Sequence, residues 1–351
     1  MKHGTRHARH GRLWYSIDMM RWATRRAPQV LATILLIVCF GNPAARAQHN
    51  VEPAATQPDS PRTNDPTEAI RVMSFNIRYG TAKDGEDAWP HRREMVFDVI
   101  RDHQPDVIGM QEVLKGQLDQ LLRALPEYKS LGVGRRDGIA IGEFAPILYR
   151  VDRFEVLEHG GFWLSDTPTV PGSTSWGNTI PRICTWAHLR DRRTGRSFYF
   201  YDTHLDHRSP PSQQRSAELI AQRIDQHANP SDPVILVGDF NAAEDTSTIR
   251  YLKGEVDRAY ETTEGPPPSP QLRDTFRVVH PEATNVGTFN GFRGESSRGK
   301  IDYVFVSASV QVISAEIVHD NTNGRYPSDH FPVTATIIFA DRQVPTNEPA
   351  P

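Results

Sequence analysis

The chain has 351 residues, 24% of them charged, with 40 Lys and Arg against 43 Asp and Glu and a formal net charge of −3. That balance excludes a protein that holds nucleic acid by bulk positive charge alone. With only Cys39 and Cys184, it also excludes a disulfide scaffold and a cysteine-based zinc site.

Residues 1–27 are rich in Arg and His, residues 30–40 are apolar apart from Thr33, and Ala45-Arg46-Ala47 follows. A basic region, a short apolar core and a small-x-small site predict a secretory signal over residues 1–47, cleaved after Ala47. The core is shorter than the roughly 20 apolar residues of a membrane span, so no stable membrane insertion is expected. The product is expected in the periplasm or outside the cell, as a monomer. Residues 1–47 hold eight of the basic residues and one acid, Asp18, so the remainder carries 32 Lys and Arg against 42 Asp and Glu. Any polyanionic ligand must then be held by local cations or a metal. Cys39 leaves with the leader, and Cys184, in a strand-like stretch, reads as a small core residue.

Residues 48–69 are polar and Pro-rich and read as a disordered linker. The compact domain is predicted over 70–340, with a flexible tail at 341–351. Within it the apolar patterns predict, in order, a strand at 71–77, a helix at 91–103, a strand at 106–110, a helix at 115–125, and strands at 146–149 and 198–203. An amphipathic helix follows at 213–227, then strands at 234–237, 301–306 and 333–339. Pro266-Pro267-Pro268-Ser269-Pro270 interrupts the series as a surface loop. Paired strands with crossover helices predict an α/β domain of two packed sheets with helices outside.

The strands end in one kind of chemistry. Val234-Ile235-Leu236-Val237 stops at Asp239 and Asn241, whose i, i+2 spacing on an extended backbone puts both heads on one side. Other strands end at Asn76, Glu112 and His204, one opens at Asp302, and Asp329-His330 precede the last. Buried strands that carry polar residues at their mouths are where α/β proteins keep their sites. The carboxylates suit a hard cation, Mg²⁺ with Mn²⁺ as the alternative, rather than zinc. A His beside a carboxylate serves as base, acid or phosphoryl clamp, and oriented amides hold a nucleophile without charge. Together these groups suit a water-activated attack on phosphorus, with no Ser or Cys nucleophile.

This ordered set resembles the endonuclease/exonuclease/phosphatase superfamily, across the whole region 70–339. The local signatures Phe75-Asn76-Ile77-Arg78-Tyr79, Trp89-Pro90-His91-Arg92, Pro181-Arg182-Ile183 and Thr203-His204-Leu205-Asp206-His207 look most like a bacterial, exported, deadenylase-like branch. The resemblance implies a four-layer α/β sandwich and a Mg²⁺ cofactor. It implies catalytic roles for Asn76, His204, Asp239, Asn241, Asp302 and His330, with the metal held by Glu112, Asp329 and Asn76. Either Asp239 or His330 would be the general base. Arg78, Arg92, Arg182 and Arg215 are candidate substrate contacts, because a guanidinium fork matches phosphate. A phosphodiesterase or nuclease on nucleic acid is the first expectation. A phosphomonoesterase on a phosphosugar or lipid headgroup is the alternative, followed by a non-catalytic binding module with the same fold.

Overall fold

A computed structural model describes residues 68–260 and 267–339. The predicted leader and tail, and all of the predicted linker except Glu68 and Ala69, lie outside these residues. The chain order is β1 (Ile70–Asn76), α1 (Trp89–His103), β2 (Val107–Gln111), α2 (Lys115–Ala124), β3 (Tyr128–Leu131), β4 (Ile147–Arg150), β5 (Phe154–Trp163) and β6 (Ile183–Asp191). Then come β7 (Ser197–His204), α3 (Pro210–Asp225), β8 (Val234–Asp239), α4 (Ser247–Leu252), β9 (Arg273–Asp274), α5 (Thr275–Val279), β10 (Asp302–Val306), β11 (Val310–Ile317) and β12 (Val333–Phe339).

One sheet has the order β11-β12-β1-β2-β4-β3 and the other β5-β6-β7-β8-β10-β9. Each is built around one parallel pair, β1 with β2 and β7 with β8, with antiparallel strands on either side. Parallel neighbours need a crossover, and α1 and α3 supply it. Val96, Phe97, Val99 and Ile100 of α1 pack on the outer face of the first sheet with Met73, Ile108 and Leu148. Ala217, Ile220 and Ala221 of α3 cover the second sheet with Leu236 and Phe305. Pro90 and the Pro210-Pro211 pair stand at the helix starts, where a missing N–H costs nothing. Between the sheets, Val72, Val107 and Ile147 meet Phe198, Phe200, Ile235, Val237 and Val304. The result is the four-layer α/β sandwich expected from the sequence.

Two glycines let the chain approach itself where no side chain fits. At Gly238 a Cβ would lie 2.2 Å from the Thr203 carbonyl oxygen on the neighbouring strand. At Gly109 a Cβ would lie 2.2 Å from a Val237 methyl across the sheets, so this glycine sets their spacing beneath the site.

The register aligns the polar ends. His204 pairs with Asp239 and Asp239 with Asp302, one row across three strands. In the other sheet Asn76 is level with Gln111, next to Glu112.

Candidate active site

The carboxyl ends of both parallel pairs open into one cleft of about 840 Å³, lined by Glu112, His204, Asp239, Asn241, Asp329 and His330 among others. Asn76 stands at its floor. Its Oδ1 accepts the Arg78 backbone N–H (3.0 Å), and its Nδ2 donates to Asp239 Oδ2 (3.0 Å) and Glu112 Oε1 (3.3 Å). Only this orientation of the amide gives every partner its complement. Asn76 therefore orients two acids. Its oxygen accepts the Arg78 N–H, so a metal contact there would use the second lone pair.

Asp239 is the hub. Its Oδ1 accepts the Asn241 N–H (2.9 Å), His204 Nε2 lies 3.4 Å from its Oδ2, and His330 Nε2 lies 3.8 Å from that same oxygen. Burial, then the neighbouring Asp302 charge, push its carboxyl up to about 7, against His330, Asn76 and the Asn241 N–H. His330 Nδ1 bonds Asp302 Oδ2 at 2.9 Å. Burial alone would lower this imidazole, but the Asp302 and Asp239 charges and the Asp302 hydrogen bond hold it well above its usual range. His204 goes the other way. Burial, then the Arg182 and Arg135 charges, keep it well below the usual range and therefore neutral. Two histidines on one carboxylate are thus pushed in opposite directions, one toward a charged donor and one toward a neutral one.

Asn241 donates through Nδ2 to the Leu205 carbonyl (3.2 Å), and Gln213 Nε2 donates to the Asn241 carbonyl (2.8 Å). Arg78, Glu112 and Asn241 all have positive φ, 56°, 61° and 48°. A left-handed non-glycine residue costs about 1–2 kcal/mol, and such strain collects at functional sites.

Glu112 Oε2 accepts the Tyr79 N–H at 3.0 Å. The Asp329 carboxyl is raised by burial, with Glu112 adding to the shift against His330. Arg78 offers it only a 3.7 Å contact, because that guanidinium is bidentate to Asp84 at 3.0 Å. Buried acids crowded around one cleft with little compensating charge are what a hard divalent cation would neutralise. The donors suit a hard divalent cation such as Mg²⁺, with Glu112 and Asp329 as the carboxylates that would hold it. Among the described residues, Asp239, Asp302 and His330 also bring possible ligand atoms within 4.8 Å of one another. Within that group His330 Nδ1 and Asp302 Oδ2 are joined by a hydrogen bond.

Arg182 reaches the cleft wall, where its Nη2 bonds His207 Nδ1 at 2.8 Å and its Nε lies 3.5 Å from Asp206. Arg215 does not join the cleft: it pairs with Asp166 and stacks on Trp176. Arg92 is no phosphate contact either. It is 1% exposed and donates to the carbonyls of Ile77, Arg78, Asp87 and Pro327, tying β1 to the segment before β12. Ser328 Oγ donates to the Asn76 carbonyl (2.7 Å) and accepts the His330 N–H (3.3 Å), capping that segment. Sequence reasoning missed the Arg135–Glu143 pair on the cleft wall (2.6 Å), which no local pattern announces.

Residues 73–330 match the model of the endonuclease/exonuclease/phosphatase family. The mannosyl-6-phosphatase of Bacteroides thetaiotaomicron is 33% identical in sequence and superimposes with a TM-score of 0.67, over 77% of this chain and 100% of that one. Uncharacterized protein L388 of Acanthamoeba polyphaga mimivirus is 25% identical over 77% of this chain and its own entire length. The CCR4-Not complex 3'-5'-exoribonuclease subunit Ccr4 of Emericella nidulans is 25% identical over 44% of this chain and 25% of its own. The chain belongs to the endonuclease/exonuclease/phosphatase family, and with it to the phosphoester hydrolases.

Proposed function

We propose that this protein is a Mg²⁺-dependent phosphomonoesterase acting on a phosphorylated small molecule outside the cytoplasm. The observation that carries the reading is the convergence of Asn76, His204 and His330 on Asp239 Oδ2, with His330 anchored by Asp302. Asp239 takes the proton of an attacking water, its oxygen aimed by Asn76 and by the Asn241 N–H. The Asn241 side-chain oxygen helps place that water. Protonated His330, held through Nδ1, turns Nε2–H toward a phosphoryl oxygen and stabilises charge there. Neutral His204 donates without adding charge. Glu112 and Asp329 would hold Mg²⁺, which when bound supplies positive charge against the phosphoryl oxygens.

The mannosyl-6-phosphatase likeness, which spans that whole chain, favours a monoester over the nucleic-acid diester first expected from the sequence. The exoribonuclease likeness covers less than half of this chain. The residue pattern of 1–47 supports export, with Mn²⁺ an acceptable substitute for Mg²⁺. The test is phosphate release from mannose 6-phosphate and from p-nitrophenyl phosphate, with Mg²⁺ and with EDTA. Mg²⁺-dependent release supports the reading; release from bis-p-nitrophenyl phosphate or RNA alone would replace the monoesterase with a diesterase.

A further inference from the structure

The cleft that holds the acids also carries guanidinium groups on a chain that is acidic beyond its leader. Three of these are committed: Arg78 to Asp84, Arg135 to Glu143, and Arg182 to His207 and Asp206. Three others line the same cleft and are exposed: Arg136, Arg208 and Arg298. None of these three has a carboxylate within 4.0 Å among the described residues.

They stand on three different segments. Arg136 lies between β3 and β4, Arg208 between β7 and α3, and Arg298 just before β10. Two of the backbones are pinned. Asp137 Oδ1 accepts the N–H groups of Ile139, Ala140 and Ile141 (2.8–2.9 Å) beside Arg136, and Asp206 Oδ1 accepts the N–H of Arg208 at 2.8 Å. The Arg298 guanidinium sits 5.2 Å from the centre of the Phe289 ring, itself a cleft residue. An isolated exposed arginine is ordinary solvated surface. Three unpaired ones, brought by separate loops of both sheets to one mouth, focus positive potential where a substrate must enter.

We propose that Arg136, Arg208 and Arg298 form a second anion subsite, so that the substrate carries another anionic group, phosphate or carboxylate, beyond the phosphoryl group that is cleaved. This rests on the phosphoesterase reading above and narrows its substrate class. Guanidinium forks suit either anion, and a chain with excess acid would otherwise repel a doubly charged substrate.

The experiment compares kcat/KM for mannose 6-phosphate, fructose 1,6-bisphosphate and 6-phosphogluconate. It uses the wild type, the triple variant R136A/R208A/R298A, and a charge-matched control, R93A/R101A/R123A, altered only on α1 and α2. The wild type is expected to favour a doubly anionic substrate at least tenfold, and the cleft variant to lose that preference while the control keeps it. Preference for the bisphosphate assigns the second group as phosphate; preference for 6-phosphogluconate assigns a carboxylate. A wild type that favours mannose 6-phosphate, or a control that loses as much as the cleft variant, overturns the subsite. Calorimetric binding of pyrophosphate and of inorganic phosphate gives a readout without turnover. The cleft variant should weaken pyrophosphate at least tenfold more than phosphate, and equal losses contradict the subsite. Absence of phosphate release from all three substrates, with the pyrophosphate difference intact, overturns the phosphomonoesterase reading and leaves the subsite standing.

Discussion

Asp302 Oδ2 and His330 Nδ1 are 2.9 Å apart, and both side chains are buried. Asp302 opens β10 in register with Asp239, whereas His330 arrives from the segment before β12 of the other sheet. One hydrogen bond thus fastens the two sheets at the reaction centre and keeps an imidazole charged where burial alone would discharge it.

Asp302→Asn removes that charge. Turnover should fall about 10²–10⁴-fold, the range of a lost acid–base group. Because the raised folded-state pKa of His330 stabilises the protein fully below the unfolded value and less as pH rises through the folded one, the stability lost in D302N should be largest below about pH 6.5 and shrink in alkali. NMR titration of His330 and thermal melts across pH check both. An unchanged His330 titration contradicts the assignment.

Asp239 carries a cost that its chemistry explains. Its carboxyl is raised to about 7, so the folded state binds the proton more tightly than the unfolded chain between the ordinary value, about 3.9, and 7. Stability contributed at this position therefore declines as pH rises through that window. In EDTA, Asp239→Asn should melt near the wild type at pH 4 and above it at pH 8, yet be inactive at both. Wild-type activity should rise with pH through about 7 as the base ionises. Equal melting differences at the two pH values would discount burial as the cause of the shift.

Glu112→Gln leaves a side chain of the same shape in place and removes the hard anionic donor. The Mg²⁺ concentration for half-maximal activity should rise at least about tenfold, with little change in melting temperature in EDTA. An unchanged Mg²⁺ response would move the metal to Asp239 and its neighbours.

Arg92 lies next to the cleft residues in sequence signature but acts as a strut. Arg92→Lys replaces a planar fork on four carbonyls with a single ammonium, which should cost about 2–3 kcal/mol of stability and lower kcat more than it raises KM. A selective rise in KM, with stability intact, would restore the phosphate-contact role.

The sequence made the site legible because the parallel strands are buried on both faces. The runs ending at Gln111 and Asp239 are apolar apart from glycine, and those ending at Asn76 and His204 are mostly apolar, so their polar ends stand out. Edge strands lack that contrast. Strand β11 alternates between buried and exposed residues at the sheet border, and β5 carries a bulge at Val156/Glu158 and the Gly160-Gly161 pair, so neither read as a complete strand. The roles of arginines were least legible. Arg92 and Arg182 look alike in one dimension, yet Arg92 meets the Pro327 carbonyl 235 residues away, whereas Arg182 meets His207. Only the folded chain sorts a strut from a cleft wall.

The most direct measurement is phosphate release in ¹⁸O-labelled water with Mg²⁺, using p-nitrophenyl phosphate with the wild type and Asp239→Asn. Water attack at phosphorus predicts one ¹⁸O atom in each phosphate released by the wild type and no release above background from the variant. Unlabelled phosphate, or a variant as fast as the wild type, would contradict a water activated by Asp239.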